Sequence, residues 1–153
     1  MSKLSCIVFC AVAMRLCVFV ASEDANSIFH APIKPIVIDC AKEYGLSEDD
    51  IKKNRGLDGL KNLPPCFIRC VLNKLDIIND KGQYDADSGI ATIKGLMSNN
   101  EYLEKISGVL KECESVNEKS VSDGDAGCER ALLGAMCYLD HKTIVSKILF
   151  LKC

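Results

Sequence analysis

The chain has 153 residues, of which 48% are hydrophobic, 19 are basic, 21 are acidic and ten are cysteine, and its net charge is −2. A protein that binds nucleic acid through its phosphates needs a basic surface, so this charge balance argues against that class. A chain of this length is typical of one domain and can bury a hydrophobic core.

The N-terminal segment has the features of a secretion signal. An apolar run from Leu4 to Met14 follows a lysine, continues beyond Arg15, and ends in small residues at Ser22. This order is typical of a cleaved signal peptide. We therefore predict a signal peptide over residues 1–22 and a secreted domain over residues 23–153. The alternative is a transmembrane anchor, but Arg15 would then place a charge inside the membrane, which is costly.

The remaining sequence predicts an all-α domain. Hydrophobic residues recur at helical spacing, and no strand-like alternation is found. A capping box at Ser47 predicts the start of the second helix, Pro64–Pro65 the start of the third, and Asp85 or Asp87 the start of the fourth. The glycine-containing segment 55–63 is predicted to be a loop or a broken turn. About six helices are predicted, over roughly residues 35–44, 48–54, 64–78, 85–97, 101–116 and 125–142.

Six cysteines form the strongest pattern in the chain. They are separated by 25, 3, 42, 14 and 8 residues, and they are Cys40, Cys66, Cys70, Cys113, Cys128 and Cys137. Cys66 and Cys70 are four apart and project from the same side of a helix. Cys128 and Cys137 lie on opposite sides of the sixth helix, about 13 Å apart along it, and cannot bond to each other. Different partners must therefore hold that helix from two sides, which leaves several pairings open.

Disulfides are a better explanation of these cysteines than metal binding. In a secreted chain, an even set of cysteines is typical of a disulfide framework. Only two histidines, His30 and His141, could support a zinc site. We predict no metal site and no cofactor.

The cysteine pattern on helices after a signal peptide resembles the insect odorant-binding protein family, the pheromone and general odorant binders. The resemblance covers essentially the whole secreted domain, and the gaps of 3 and 8 residues match the family's hallmark. It implies three interlocked disulfides around an internal apolar cavity, namely Cys40–Cys70, Cys66–Cys128 and Cys113–Cys137. Cys153 would then be unpaired, as a free or capped thiol, or it could crosslink two chains.

The function that the resemblance implies is carriage. The protein would be a secreted carrier, not an enzyme, that binds odorants, pheromones or lipid-like molecules and transports them through an aqueous secretion. Its partners would be a small hydrophobic ligand and a chemosensory receptor, with no nucleic acid and no membrane span, and it would be a monomer or a weak homodimer. The alternative is a secreted gland, seminal or haemolymph protein that uses the same scaffold for non-olfactory carriage or protein interaction.

The resemblance also places ligand-lining residues at fixed distances from the cysteines. These are Ile68, Leu72, Leu110 and Tyr138, and Leu75 shares the helical stripe of the first two. The full predicted set is Ile68, Leu72, Leu75, Ile93, Met97, Leu110, Gly134, Tyr138 and Phe150.

Two faces of the sixth helix could line the cavity. One carries the bulky residues Leu132, Leu133 and Met136. Periodicity alone favours this bulky face. The other carries Ala131, Gly134 and Tyr138. We choose it on the strength of the family resemblance, because its small residues leave volume and a tyrosine hydroxyl can orient a ligand. Tyr84 and Tyr102 are the alternative polar anchors.

The C-terminal segment suggests two further features. The apolar tail Ile148–Leu151 is predicted to close the cavity as a lid, the alternative being an interface patch. His141, near the end of the sixth helix, could promote release of ligand in acid, the alternative being an ordinary surface histidine.

Overall fold

A computed structural model describes the backbone of residues 24–54, 56–96 and 100–150 and the side chains of residues 32–54, 56–96 and 103–141. These residues contain seven α-helices and two short 3₁₀ helices, Glu114–Glu118 and Gly124–Ala126. The α-helices are α1 (Asp24–Glu43), α2 (Glu48–Lys53), α3 (Leu57–Leu60), α4 (Pro65–Lys74), α5 (Ala86–Leu96), α6 (Asn100–Cys113) and α7 (Cys128–Phe150).

The chain divides into two units. The first is Met1–Ile33, of which the structure describes the N-terminal half of α1. The second is Lys34–Cys153 and contains the rest of α1 and every other described helix. The features below belong to the second unit.

Most of the predicted helix starts are observed. Ser47 caps α2 in a capping box, in which its hydroxyl accepts from the Asp50 N–H and its own N–H donates to the Asp50 carboxylate. Asp85 caps α5, because its carboxylate accepts from the N–H of Ser88 at 2.9 Å. α4 begins at Pro65, directly after Pro64.

Other helix boundaries differ from the prediction. α1 begins upstream of the predicted start at residue 35, and the segment predicted to be a loop or a broken turn contains the single helical turn α3. The last helix continues to Phe150 instead of ending near residue 142, because the apolar tail sustains the helical spacing.

α4 ends four residues before the predicted end at Ile78. Asp76 adopts a positive φ of 56°, and the N–H groups of Asp76 and Ile77 donate to the carbonyls of Asn73 and Leu72. This is a Schellman motif with aspartate at the position that glycine usually occupies. The chain then turns, and Ile78 forms an isolated antiparallel bridge with Tyr84.

The core forms where α7 packs against α3, α4, α6 and the 3₁₀ helix Glu114–Glu118, while α5 packs on α6. The largest of its fully buried side chains are Ile78, Ile93, Val116, Cys40 and Cys113. The start of α7 is fixed by Asp123, whose carboxylate accepts from the N–H groups of Cys128 and Glu129 at 2.6 and 3.0 Å. The helices thus surround one hydrophobic core in this unit.

Three disulfides connect the helices. The sulfur atoms of Cys40 and Cys70 are 2.01 Å apart and link α1 to α4. Cys66 and Cys128, at 2.09 Å, link α4 to α7, and Cys113 and Cys137, at 2.02 Å, link α6 to α7. The pairing is the one that the resemblance implies, and the predicted all-α, three-disulfide fold is confirmed.

Candidate ligand-binding site

Four of the predicted lining residues lie in the core. Ile68 and Leu75 are each 4% exposed, Ile93 is 2% exposed and Leu110 is 3% exposed. They come from α4 and its C-terminus, from α5 and from α6, so the fold brings together the elements that the prediction names. Because neighbouring side chains enclose them, little of their surface faces a hollow in this conformation. Their contact with a ligand stays a prediction.

Half-buried apolar residues are found on several helices, including α1, α4, α6 and α7. Leu72 and Tyr138, from the predicted set, are half-buried. Leu132, Leu133 and Met136, from the bulky face that was not chosen, are half-buried as well. The burial pattern therefore favours neither face of α7 over the other.

The small residues of the chosen face do not leave open space. Ala131 is fully buried, and the ring of Tyr84 covers Gly134. A Cβ atom added at Gly134 would lie 2.7 Å from Cε2 and 2.8 Å from Cδ2 of Tyr84, well inside van der Waals contact. The Tyr84 ring thus occupies the space beside Gly134, and contact of Gly134 with a ligand stays a prediction.

Tyr84 is held in this position by its backbone. Its N–H donates to Oδ1 of Asn117 at 2.9 Å, and its carbonyl accepts from Nδ2 of Asn117 at 2.7 Å. Asn117 thus satisfies both backbone groups as a neighbouring strand would. The sequence analysis did not identify this pairing, since an asparagine in a polar segment gives no indication of a partner 33 residues away.

The environment of the Tyr84 hydroxyl is unusual. Tyr84 is 3% exposed, and its buried hydroxyl has no hydrogen-bond partner among the described residues. Burial raises the pKa of this hydroxyl, and negative charge on Glu114 and on Tyr138 raises it further. Tyr84 was only an alternative anchor in the sequence analysis, yet it is a buried and unsatisfied polar group in the core.

A polar pocket lies beside the backbone of Tyr84. Its volume is about 380 Å³, and it is lined by Asn79, Gln83, Tyr84, Asp85, Glu114, Asn117 and Arg130. None of the nine predicted lining residues belongs to it. Nη1 of Arg130 donates to the carbonyl of Val116 at 2.6 Å and so ties α7 to the 3₁₀ helix. This pocket differs in chemistry from the apolar cavity that the resemblance implies.

His141 lies next to a disulfide at the junction of α6 and α7. Its Nδ1 is 3.2 Å from Oε2 of Glu112, which is an ion pair when the imidazole is protonated. The ligand atoms of Cys113, Cys137 and His141 all lie within 4.8 Å of one another. The two sulfurs are bonded to each other, however, so this group does not offer the thiolates that a zinc site needs.

Several predictions lie outside the described side chains. These are the contacts of Met97, Tyr102 and Phe150, the lid at the tail, the state of Cys153, and the signal peptide at residues 1–22.

The fold and the cysteine bridges define a class of small helical domains stabilised by three disulfides. Within this class, the chain matches the family described as the PBP/GOBP family over residues 22–141. It therefore belongs to this family, the insect odorant-binding and pheromone-binding proteins. A search of the curated proteins found no match.

Family membership gives the general class of function. The family consists of small carriers that bind odorants or pheromones, and it is not an enzyme family. Its members are secreted, and three disulfides fit an extracellular protein. Among the described residues, no helix has the length and apolar character needed to cross a membrane.

Proposed function

We propose that this protein is a secreted carrier that binds a small hydrophobic molecule inside its helical domain and transports it, chemically unchanged, through an aqueous secretion. The observation that carries the proposal is the family match over residues 22–141, together with three disulfides that hold α1, α4, α6 and α7. Covalent links between helices stabilise the domain without requiring complete packing, which permits an apolar interior to admit a guest.

We place the ligand between α4 and α7, because both helices carry predicted lining residues. Leu72 on α4 and Tyr138 on α7 are both half-buried. The more enclosed residues of the predicted set would contact the ligand after small movements of their side chains. An apolar site of this kind is typical of small-molecule binding, in which a few polar groups set the orientation.

Displacement of a fluorophore tests this function. The oxidised domain, residues 23–153, should bind a naphthylamine fluorophore saturably, and medium-chain alcohols, aldehydes or alkanes should displace it. Mass spectrometry of the unreduced protein provides the control that the disulfides are intact. If the intact, folded domain bound neither the fluorophore nor any ligand of the panel, the carrier function would be wrong.

Secretion and assembly are parts of the same proposal. We expect the secreted protein to begin at Glu23, which N-terminal sequencing measures directly. We expect Cys153 to be free or capped, so electrophoresis without reductant should show a monomer. A chemosensory receptor would be the partner that receives the ligand.

A further inference from the structure

The polar pocket beside the Tyr84 backbone contains charges of both signs. Its cation is Arg130 on α7, and its anions are Asp85, which caps α5, and Glu114 on the 3₁₀ helix. Of the described side chains that line it, only Tyr84 has an apolar ring, and the others are charged or carry amides. A pocket of about 380 Å³ can hold a small molecule, and this lining suits a polar ligand rather than a hydrophobic one.

Arg130 keeps donors available for a ligand. A guanidinium has five N–H donors. Nη1 of Arg130 makes both of the hydrogen bonds that this side chain donates to described residues, to the carbonyls of Val116 and Lys119 at 2.6 and 3.4 Å. These acceptors are neutral, so they position the guanidinium without neutralising its charge. Nε is buried without a partner among the described residues, which leaves Nη2 as the donor for a ligand carboxylate.

The carboxylates of the pocket are held by other neighbours. The two oxygens of Asp85 accept from the N–H and the hydroxyl of Ser88, each at 2.9 Å. These bonds hold the pKa of Asp85 below its usual value, so the group is charged at neutral pH. Oε2 of Glu114 lies 3.6 Å from Nζ of Lys111. In the part of the chain that the structure describes, neither carboxylate pairs with Arg130, so the fold keeps the positive and negative groups of the pocket apart.

We propose that this pocket binds a small zwitterion of the amino-acid class, whose carboxylate pairs with Arg130 and whose ammonium pairs with Asp85 or Glu114. The arrangement favours a molecule with both charges, because a simple anion would meet two carboxylates and a simple cation would meet the guanidinium. The second carboxylate also predicts a preference for neutral over acidic amino acids. None of the predicted ligand-lining residues belongs to the pocket, so the site is separate from the interior that the carrier function needs.

An NMR titration tests the site with matched probes. Glutamine carries both charges, N-acetylglutamine lacks the ammonium, and glutamine amide lacks the carboxylate. Glutamine should shift the side-chain amide signal of Gln83 and the Nε–H signal of Arg130 saturably, because both residues line the pocket. Each probe with one charge should bind about tenfold more weakly than glutamine, and glutamate should also bind more weakly than glutamine.

Glu114→Gln removes one carboxylate of the pocket, and Glu118→Gln is the matched control. Both residues belong to the 3₁₀ helix Glu114–Glu118, but Glu118 is exposed and does not line the pocket. Glu114→Gln should weaken glutamine binding about threefold to tenfold, whereas Glu118→Gln should leave it unchanged. Arg130 is kept in all variants, because it also ties α7 to this 3₁₀ helix, and the probe without a carboxylate tests its contact instead.

Each result decides the proposal. Saturable shifts that need both charges of the probe and the Glu114 carboxylate support the site. The proposal would be overturned by an absence of saturable shifts with glutamine, by equal binding of glutamine and either probe with one charge, or by equal losses in the two variants. Both variants should bind the naphthylamine fluorophore as the wild type does, so failure of this site would leave the carrier function intact.

Discussion

Gly134 shows that the small size of a residue can have more than one structural explanation. Small residues on one face of a helix leave volume, and the sequence analysis assigned that volume to a ligand. In the structure, the absence of a side chain instead lets the Tyr84 ring pack directly on α7. The two explanations cannot be distinguished from the sequence, because nothing near Gly134 indicates which segment will approach it. The contact depends on a turn 50 residues earlier in the chain.

Gly134→Ala should therefore destabilise the protein. The new Cβ atom would lie 2.7 Å from a ring carbon of Tyr84, and the ring cannot easily retreat because Asn117 fixes its backbone. We expect the free energy of unfolding to fall by about 1–3 kcal/mol, as for other overpacked cores. Denaturation by urea, with the disulfides intact, measures the change.

Gly108→Ala is the matched control. Gly108 is exposed on α6, and a Cβ atom added there meets nothing within 4 Å. Alanine should thus stabilise this helix by about 0.5–1 kcal/mol, because it restricts the unfolded chain more than glycine does. If both variants gained stability, the close packing of Tyr84 on Gly134 would be contradicted.

At the scale of elements, helix starts could be predicted better than helix ends. Side-chain caps such as Ser47 and Asp85 act within three residues of themselves, so a local pattern reveals them. The end of α4 has no such signal. Ile77 and Ile78 continue the apolar character of the helix. Asp76 adopts the left-handed conformation, and aspartate occupies that position at a helix end much less often than glycine does. Both isoleucines are buried after the turn, so hydrophobicity alone could not separate helix from turn.

The cap of α5 gives a prediction that depends on pH. Hydrogen bonds from the backbone N–H and the hydroxyl of Ser88 hold the pKa of Asp85 below its usual value of 3.8. A carboxyl with a lowered pKa stabilises the fold above its unfolded pKa, and this stabilisation is lost as the pH falls through the folded pKa. Asp85→Ala should lower the free energy of unfolding at neutral pH by about 1 kcal/mol.

Asp85→Asn separates the charge from the hydrogen bond. Its amide oxygen can still accept from the Ser88 N–H, but it does not titrate. The difference in unfolding free energy between wild type and this variant should shrink in acid, below a pH of about 4. A difference that stayed constant from neutral pH into acid would show that the Asp85 charge does not support the helix.

For the whole molecule, most of the correct predictions, namely the family and the disulfide pairing, came from the cysteine positions. The positions of six cysteines on helices resemble one family, and the family implies the pairing that the structure contains. The position of the ligand could not be derived in the same way. α7 carries apolar residues on more than one face, and the half-buried residues Leu132, Leu133 and Tyr138 are distributed over them. Which face meets a ligand depends on how tightly the other helices approach, and the sequence does not state this.

The three disulfides should differ in their contribution to stability. Cys66–Cys128 joins residues 62 apart, whereas Cys113–Cys137 joins residues 24 apart. In the chain-entropy model, a disulfide that closes a longer loop restricts the unfolded chain more. Each bridge should therefore contribute roughly 3–4 kcal/mol to the free energy of unfolding, and the longer one about 0.8 kcal/mol more than the shorter one. Thermal unfolding of the two double variants, each with one pair of cysteines replaced by alanine, measures this order. The reverse order would mean that side-chain packing around Cys113 outweighs the effect of loop length.

The overlap of the three bridges also affects how the molecule would tolerate proteases. The bridged intervals 40–70, 66–128 and 113–137 overlap at their ends, so at least one of them spans every peptide bond between Cys40 and Cys137. A single cut by a digestive or secretory protease anywhere in that stretch would therefore leave both fragments covalently joined. A nicked molecule would keep its full mass, and only a reductant would release the pieces.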